Sequence, residues 1–246
     1  MKVLVEACVD SVGSAIAAQQ GGARRIELCD NLVEGGTTPS AGTIALCRAR
    51  LRIPIYVMIR PRGGDFCYSP VELDVMRRDI DAAHAFGADG VVLGLLTPDG
   101  RVDRRRTRAL LELARPLDVT FHRAIDVARD PLTALDDLIT LGVDRVLTSG
   151  QSRTALAGAR VIAELVERAA GRLVVVAGGG VDEKNAHQVV ARTGVREIHV
   201  RGTSPLRSAM RYRSRRVRMG GAPPPDEFTL PVTDARRIRR IIRSVA

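Results

Sequence analysis

Apolar, β-branched stretches and helical stretches alternate along the whole chain, and a small punctuation mark recurs at every second step. Gly22-Ala23-Arg24, Gly87-Ala88-Asp89, Gly142-Val143-Asp144 and Gly194-Val195-Arg196 each end a helix and lead into a strand. A glycine just past a helix end takes the left-handed conformation that other residues resist. The pattern places strands at Val3–Cys8, Arg25–Cys29, Ile53–Ile59, Gly90–Gly94, Val119–His122, Arg145–Thr148, Leu173–Ala177 and Glu197–Val200. Between them it places helices at Ser11–Gln20, Pro39–Arg50, Pro70–Phe86, Asp103–Arg115, Pro131–Leu141, Thr154–Ala170 and Glu183–Arg192. Strand follows strand every ~25–30 residues, the length of a βα unit feeding a parallel sheet. Eight such units predict an α/β fold: one closed (β/α)8 barrel of the TIM type, with all 246 residues in a single domain. No Gly-x-Gly-x-x-Gly follows the first strand, which argues against an open dinucleotide-binding sheet.

The period fails over residues 201–232, an arginine-rich arm with six arginines between Arg207 and Arg218, followed by Pro223-Pro224-Pro225. An irregular stretch of this length is expected to serve as a lid or a subunit arm. A helix over Thr233–Val245 then closes the barrel. The formal net charge of +10 is concentrated here, because residues 201–246 hold twelve arginines against Asp226, Glu227 and Asp234. The arm is nearly free of aromatic residues to stack on bases, so nucleic acid is not the expected partner. No apolar run approaches the ~20 residues of a membrane span, and Met1-Lys2 leads directly into the first strand without a leader. The four cysteines lack zinc-site spacing and are expected to be free thiols in a reducing cytoplasm.

In a (β/α)8 barrel the chemistry gathers at the C-terminal strand ends. There the first two strands offer Glu6 with Cys8 and Glu27 with Cys29, each pair two apart and so on one face. The third strand runs into Met58-Ile-Arg-Pro-Arg-Gly-Gly-Asp-Phe66, whose Arg60 and Arg62, two apart, are expected to face one small anion, or else to pair with Asp65. The fifth ends in His122, Arg123 and Asp126, the sixth in Ser149-Gly150, and the eighth carries His199. The seventh runs out through Gly178-Gly179-Gly180, where bared backbone N–H groups beside a helix start suit phosphate or carboxylate.

Taken together, Glu6–Ser11, Arg25–Cys29, Gly35–Ser40, Met58–Phe66, Thr120–Asp126, Leu147–Gly150 and Ala177–Val181 resemble the CutC family of copper homeostasis proteins. The resemblance implies a cytoplasmic TIM-type barrel, often a homo-oligomer, that is associated with copper. It also implies that Cys8 and Cys29 occupy the positions of the thiols proposed to ligate Cu(I).

Two functions follow. Thiolates are soft donors suited to Cu(I), so a Cys8/Cys29 pair on adjacent strands, level with each other if the register is level, would form a copper site. Alternatively, the barrel is an enzyme acting on a small phosphorylated or carboxylated substrate, of isomerase, epimerase or lyase type. In that reading Arg60, Arg62, Arg123, Ser149, His199 and the glycine loop hold the anion. Glu6 or Glu27 then serves as base and His122 as acid, with Asp126 orienting His122 or Arg123.

Overall fold

The computed structural model describes residues 3–214, 216–217 and 227–246. Met1, Lys2, Arg215, Arg218 and the three consecutive prolines lie outside them. Eight parallel strands close into a barrel in sequence order. They are β1 (Leu4–Val9), β2 (Arg25–Leu28), β3 (Ile55–Met58), β4 (Gly90–Leu93), β5 (Asp118–Phe121), β6 (Arg145–Thr148), β7 (Val174–Gly178) and β8 (Glu197–Val200). Helices α1 (Val12–Gly21), α2 (Ala41–Arg50), α3 (Pro70–Ala85), α4 (Arg104–Ala114), α5 (Pro131–Leu141), α6 (Ala159–Ala169) and α7 (Ala186–Thr193) return the chain between strands. Among the described residues no helix is long and apolar enough to cross a membrane.

Local chemistry sets these boundaries. Gly22, Gly142 and Gly194 cap α1, α5 and α7 at φ of 97°, 79° and 71°, and Gly87 follows α3 at 73°. The aspartates after two of these glycines each hold the start of the preceding strand. Asp89 Oδ2 accepts the N–H of Ile55, and Asp144 Oδ2 accepts that of Val119, both at 2.8 Å. Ser69 and Glu72 close a capping box on α3. Ser40 caps α2, and the Thr38 hydroxyl accepts the N–H of Arg60 and donates to Asp79.

Two helices are shorter than their periodicity predicts. Residues 151–158 form a turn before α6, because Gly158 packs against the backbone of Ser149 and Gly150. Residues 182–185 form another before α7, tied by the Asp182 and Asn185 side chains. The arm also departs from expectation at its ends. Thr203–Arg207 (β9) and Thr229–Thr233 (β10) pair as an antiparallel ribbon. From there α8 (Ala235–Ser244) packs Ile238 onto Gly21 of α1, so closely that a Cβ on Gly21 would sit 2.6 Å from it.

The main core is the shell between strands and helices, filled by alternate residues such as Val5, Ala7, Ile26, Leu28, Ile55, Val57, Val91 and Leu93. The other half of each strand points into the barrel. At the lower end Arg25 pairs with Glu6 and with Glu197, the latter at 2.5 Å, while Arg145 pairs with Asp118, which Tyr56 also contacts. The Arg25 and Arg145 guanidinium carbons lie 4.8 and 5.2 Å from the Tyr56 ring centre. Above this charged layer sits a small apolar and thiol cluster of Cys8, Cys29, Tyr56, Met58 and Val92. The upper end opens as a pocket of about 670 Å3.

Candidate functional site

The register sets the depth of each inward side chain. Glu6 lies opposite Arg25 and His199, and Cys8 lies opposite Glu27. The Cys29 N–H donates to Val9 O, so Cys29 stands one layer above Cys8 and not level with it. Glu27 lies between the thiols: its Oε1 accepts from Cys29 Sγ at 3.4 Å and from Cys8 Sγ at 3.7 Å. His199 completes the group. Its Nδ1 is 2.7 Å from Glu6 Oε1 and its Nε2 is 4.0 Å from Glu27 Oε1. Ligand atoms of Cys8, Glu27 and His199 all lie within 4.8 Å of one another.

Burial and close charge polarise this cluster. Burial alone would raise Glu6, but Arg25 and the His199 hydrogen bond bring it down to about 2. It is a fixed anion in a buried ion pair, engaged by both Arg25 and His199. Burial lifts Glu27 to about 8, against the pull of His199. The hydrogen bond from Cys29 outweighs burial at Cys8, and His199 adds to it, so that thiol falls to about 5. The same bond pushes Cys29 up. His199 would lose its proton through burial, yet the charge of Glu27 and its bonds to Cys8 and Glu6 hold it on. The result is an acidic Cys8 thiol beside an imidazolium.

His122 stands across the pocket and is 4% exposed. Its Nδ1 accepts the N–H of Ala124 at 3.2 Å, which leaves the ring proton on Nε2. No described residue partners that Nε2, nor Glu27 Oε2 or Arg60 Nε, all buried. Burial, with the Arg60 charge beside it, pushes His122 down to about 3. His122 is therefore a neutral donor through Nε2. Its ring fits because position 94 is glycine: a Cβ there would lie 2.5 Å from it. The Phe66 ring covers both neighbours, 4.8 Å from the His122 ring centre and 5.1 Å from the Arg60 guanidinium carbon.

The two arginines expected side by side part company. β3 ends at Met58, and Pro61 with Gly64 (φ 77°) turns the chain. Arg60 goes inward and staples two loops, donating to Glu34 O and Gly36 O at 2.7 Å and to Gly64 O at 2.8 Å. Arg62 goes outward, bonded to Glu72 at 2.5 Å and to Asp65 at 3.0 Å. Arg62 and Asp65 brace the loop and do not line the pocket.

Asp126 is also committed elsewhere. It accepts from Arg123 Nε at 2.7 Å, Thr148 Oγ1 at 2.6 Å, the Ser149 N–H at 2.9 Å and hydroxyl at 2.9 Å, and the Gln151 N–H at 3.1 Å. It orients Arg123, not His122. Ser149 is buried beneath Arg123, whose Nη2 donates to it at 2.7 Å. Gly178 lies in the barrel wall, where a Cβ would meet Leu147 at 2.6 Å and His199 at 3.1 Å; Gly179 and Gly180 reach the pocket. Arg153 and Arg201 line it too. Sequence reasoning passed over both as site residues, although Arg201, two beyond His199, carries a signal in its spacing. Arg153 lay beside a stretch read as helix.

Comparison with known proteins agrees with this architecture. The CutC family model matches residues 3–204. The chain is 48% identical over 238 residues to the mouse copper homeostasis protein cutC homolog, covering 97% of this chain and 88% of that one. It is 50% identical over 241 residues to a CutC protein of Chromobacterium violaceum, covering 98% and 97%. A crystal structure of a CutC protein from Streptococcus agalactiae superposes with a TM-score of 0.78 at 36% identity, covering 80% of this chain and 98% of that one. With a closed eight-stranded barrel and a family match over residues 3–204, the chain belongs to the CutC family.

Proposed function

We propose that this protein binds a monovalent copper ion at the base of the barrel mouth, through Cys8 with Cys29 and His199, as a cytoplasmic copper homeostasis protein. The observation that carries this reading is the convergence of Cys8, Glu27 and His199 donor atoms within 4.8 Å, with Cys29 sharing the same glutamate oxygen. Thiolate and imidazole donors suit Cu(I), so the residues fit the ion. The acidic Cys8 thiol supports it further, since the thiolate is the ligand. The test is an anaerobic Cu(I) titration of wild type and the Cys8→Ser/Cys29→Ser variant against a competing chelator. Tight binding at fixed stoichiometry, lost in the variant, supports the reading; unchanged binding overturns it.

A second reading is favoured by a separate observation: a pocket of about 670 Å3 with unpartnered Glu27 Oε2 and His122 Nε2 is far larger than an ion requires. Here the barrel is an enzyme on a small anionic substrate. Glu27, lifted to about 8 and so partly carboxylate at neutral pH, takes the proton from the carbon beside the substrate carbonyl and returns it to a neighbouring carbon, while the neutral His122 donates a hydrogen bond to the carbonyl oxygen. Glu27→Gln would abolish this activity.

A further inference from the structure

We propose that the rim of the pocket is a phosphate subsite, formed by Arg153, Arg201 and the backbone of Gly179, Gly180 and Gly202, that holds the phosphate of a small phosphorylated metabolite. The proposal rests on the small-molecule reading of the pocket and not on the thiol cluster.

Most arginines at the pocket are already occupied. Five line the pocket. Arg60 is spent on three carbonyls, Arg123 on Asp126 and Ser149, and Arg237 on Glu183 and Thr203 O. Arg153 and Arg201 are exposed, and neither makes a hydrogen bond or ion pair with a described residue. They come from the loops after β6 and β8, on either side of the glycine loop after β7.

That loop turns its backbone toward the pocket. Gly179, Gly180 and Gly202 have φ of 103°, 68° and 56°, and all three line the pocket. The carbonyls of Gly179 and Gly180 turn into the protein, accepting from the Ala155 N–H and Asn185 Nδ2, each at 2.8 Å. No described residue accepts from their N–H groups. Asp182, which also lines the pocket, accepts the N–H groups of Lys184 and Asn185 on its Oδ1. Two cationic forks and bared N–H groups from three successive loops suit a tetrahedral dianion better than a planar carboxylate. Barrels of this class often bind phosphate at the loops after the seventh and eighth strands.

The second, independent observation is His122 Nε2, buried and without a described partner in the wall of the same pocket. It gives the rest of the ligand, an oxygen-bearing organic body, something to donate to. The volume of the pocket suits a ligand of metabolite size.

The test is calorimetric titration of the full chain with inorganic phosphate, ribose 5-phosphate, ribose and citrate. Inorganic phosphate and ribose 5-phosphate are expected to bind and ribose is not; Arg153→Ala/Arg201→Ala is expected to weaken both anions about tenfold or more. His122→Phe is expected to weaken only the ester. If inorganic phosphate fails to bind at about 10 mM, or the double arginine variant binds it unchanged, the subsite is overturned. If citrate binds and depends on His122 but not on the two arginines, the subsite falls while the small-molecule reading stands. If no anion binds, both fall.

Discussion

His199 Nδ1 lies 2.7 Å from Glu6 Oε1, and this contact couples the charged layer inside the barrel to the thiol above it. Glu6 is already held by Arg25, so the carboxylate keeps the His199 proton on, and the imidazolium in turn favours the thiolate of Cys8. Changing His199→Asn removes that charge. Cys8 should rise toward its ordinary value, and iodoacetamide alkylation of Cys8 at pH 7, with Cys29 kept in place and the Cys8 peptide read by mass spectrometry, should slow about tenfold. An unchanged rate would mean that Cys29 alone sets the thiol.

Arg25 is buried between Glu6 and Glu197 and lies over the Tyr56 ring. Arg25→Met would take the shared cation from Glu6 and Glu197, leaving them only His199 and the more distant Arg145. The expected loss is about 3–5 kcal/mol in urea unfolding at pH 7. Adding Glu6→Gln should recover part of it, because one of the stranded charges is then gone.

His122 is neutral in the fold at any pH above about 3. In the unfolded chain it takes a proton below the ordinary imidazole value of 6.5. Its contribution to stability is therefore fully present above 6.5 and is lost as pH falls toward 3. His122→Leu should flatten the stability-versus-pH curve between pH 6 and 4 by about 1.4 kcal/mol per pH unit relative to wild type. Urea unfolding across that window measures it; parallel curves would place a charged His122 in the fold.

Gly94 is spaced for the His122 ring, since a Cβ would lie 2.5 Å from it and 3.1 Å from Ala124 Cβ. Gly94→Ala should cost about 1–3 kcal/mol and displace the ring, with a matching shift of the His122 imidazole resonances. A stable variant with unmoved resonances would contradict the packing.

The sequence by itself determined the barrel. Strand and helix periods, capping residues and left-handed glycines at helix ends are local, so Gly22, Gly87, Gly142 and Gly194 marked four quarter-barrels before any contact was known. It also marked the inward residues, because spacing of two puts Glu6 with Cys8 and Glu27 with Cys29 on one face. What only the tertiary structure decided was which of these groups remain available. Closing the barrel set a register that raised Cys29 a layer above Cys8 and put Arg25 against Glu6. A turn at Pro61 and Gly64 separated Arg60 from Arg62, and loop 148–151 took up the Asp126 carboxylate. The charge state of His122, and the freedom of Arg153 and Arg201, depend on neighbours distant in sequence. Periodicity is written in consecutive residues, whereas desolvation and pairing arise only when separate strands and loops meet.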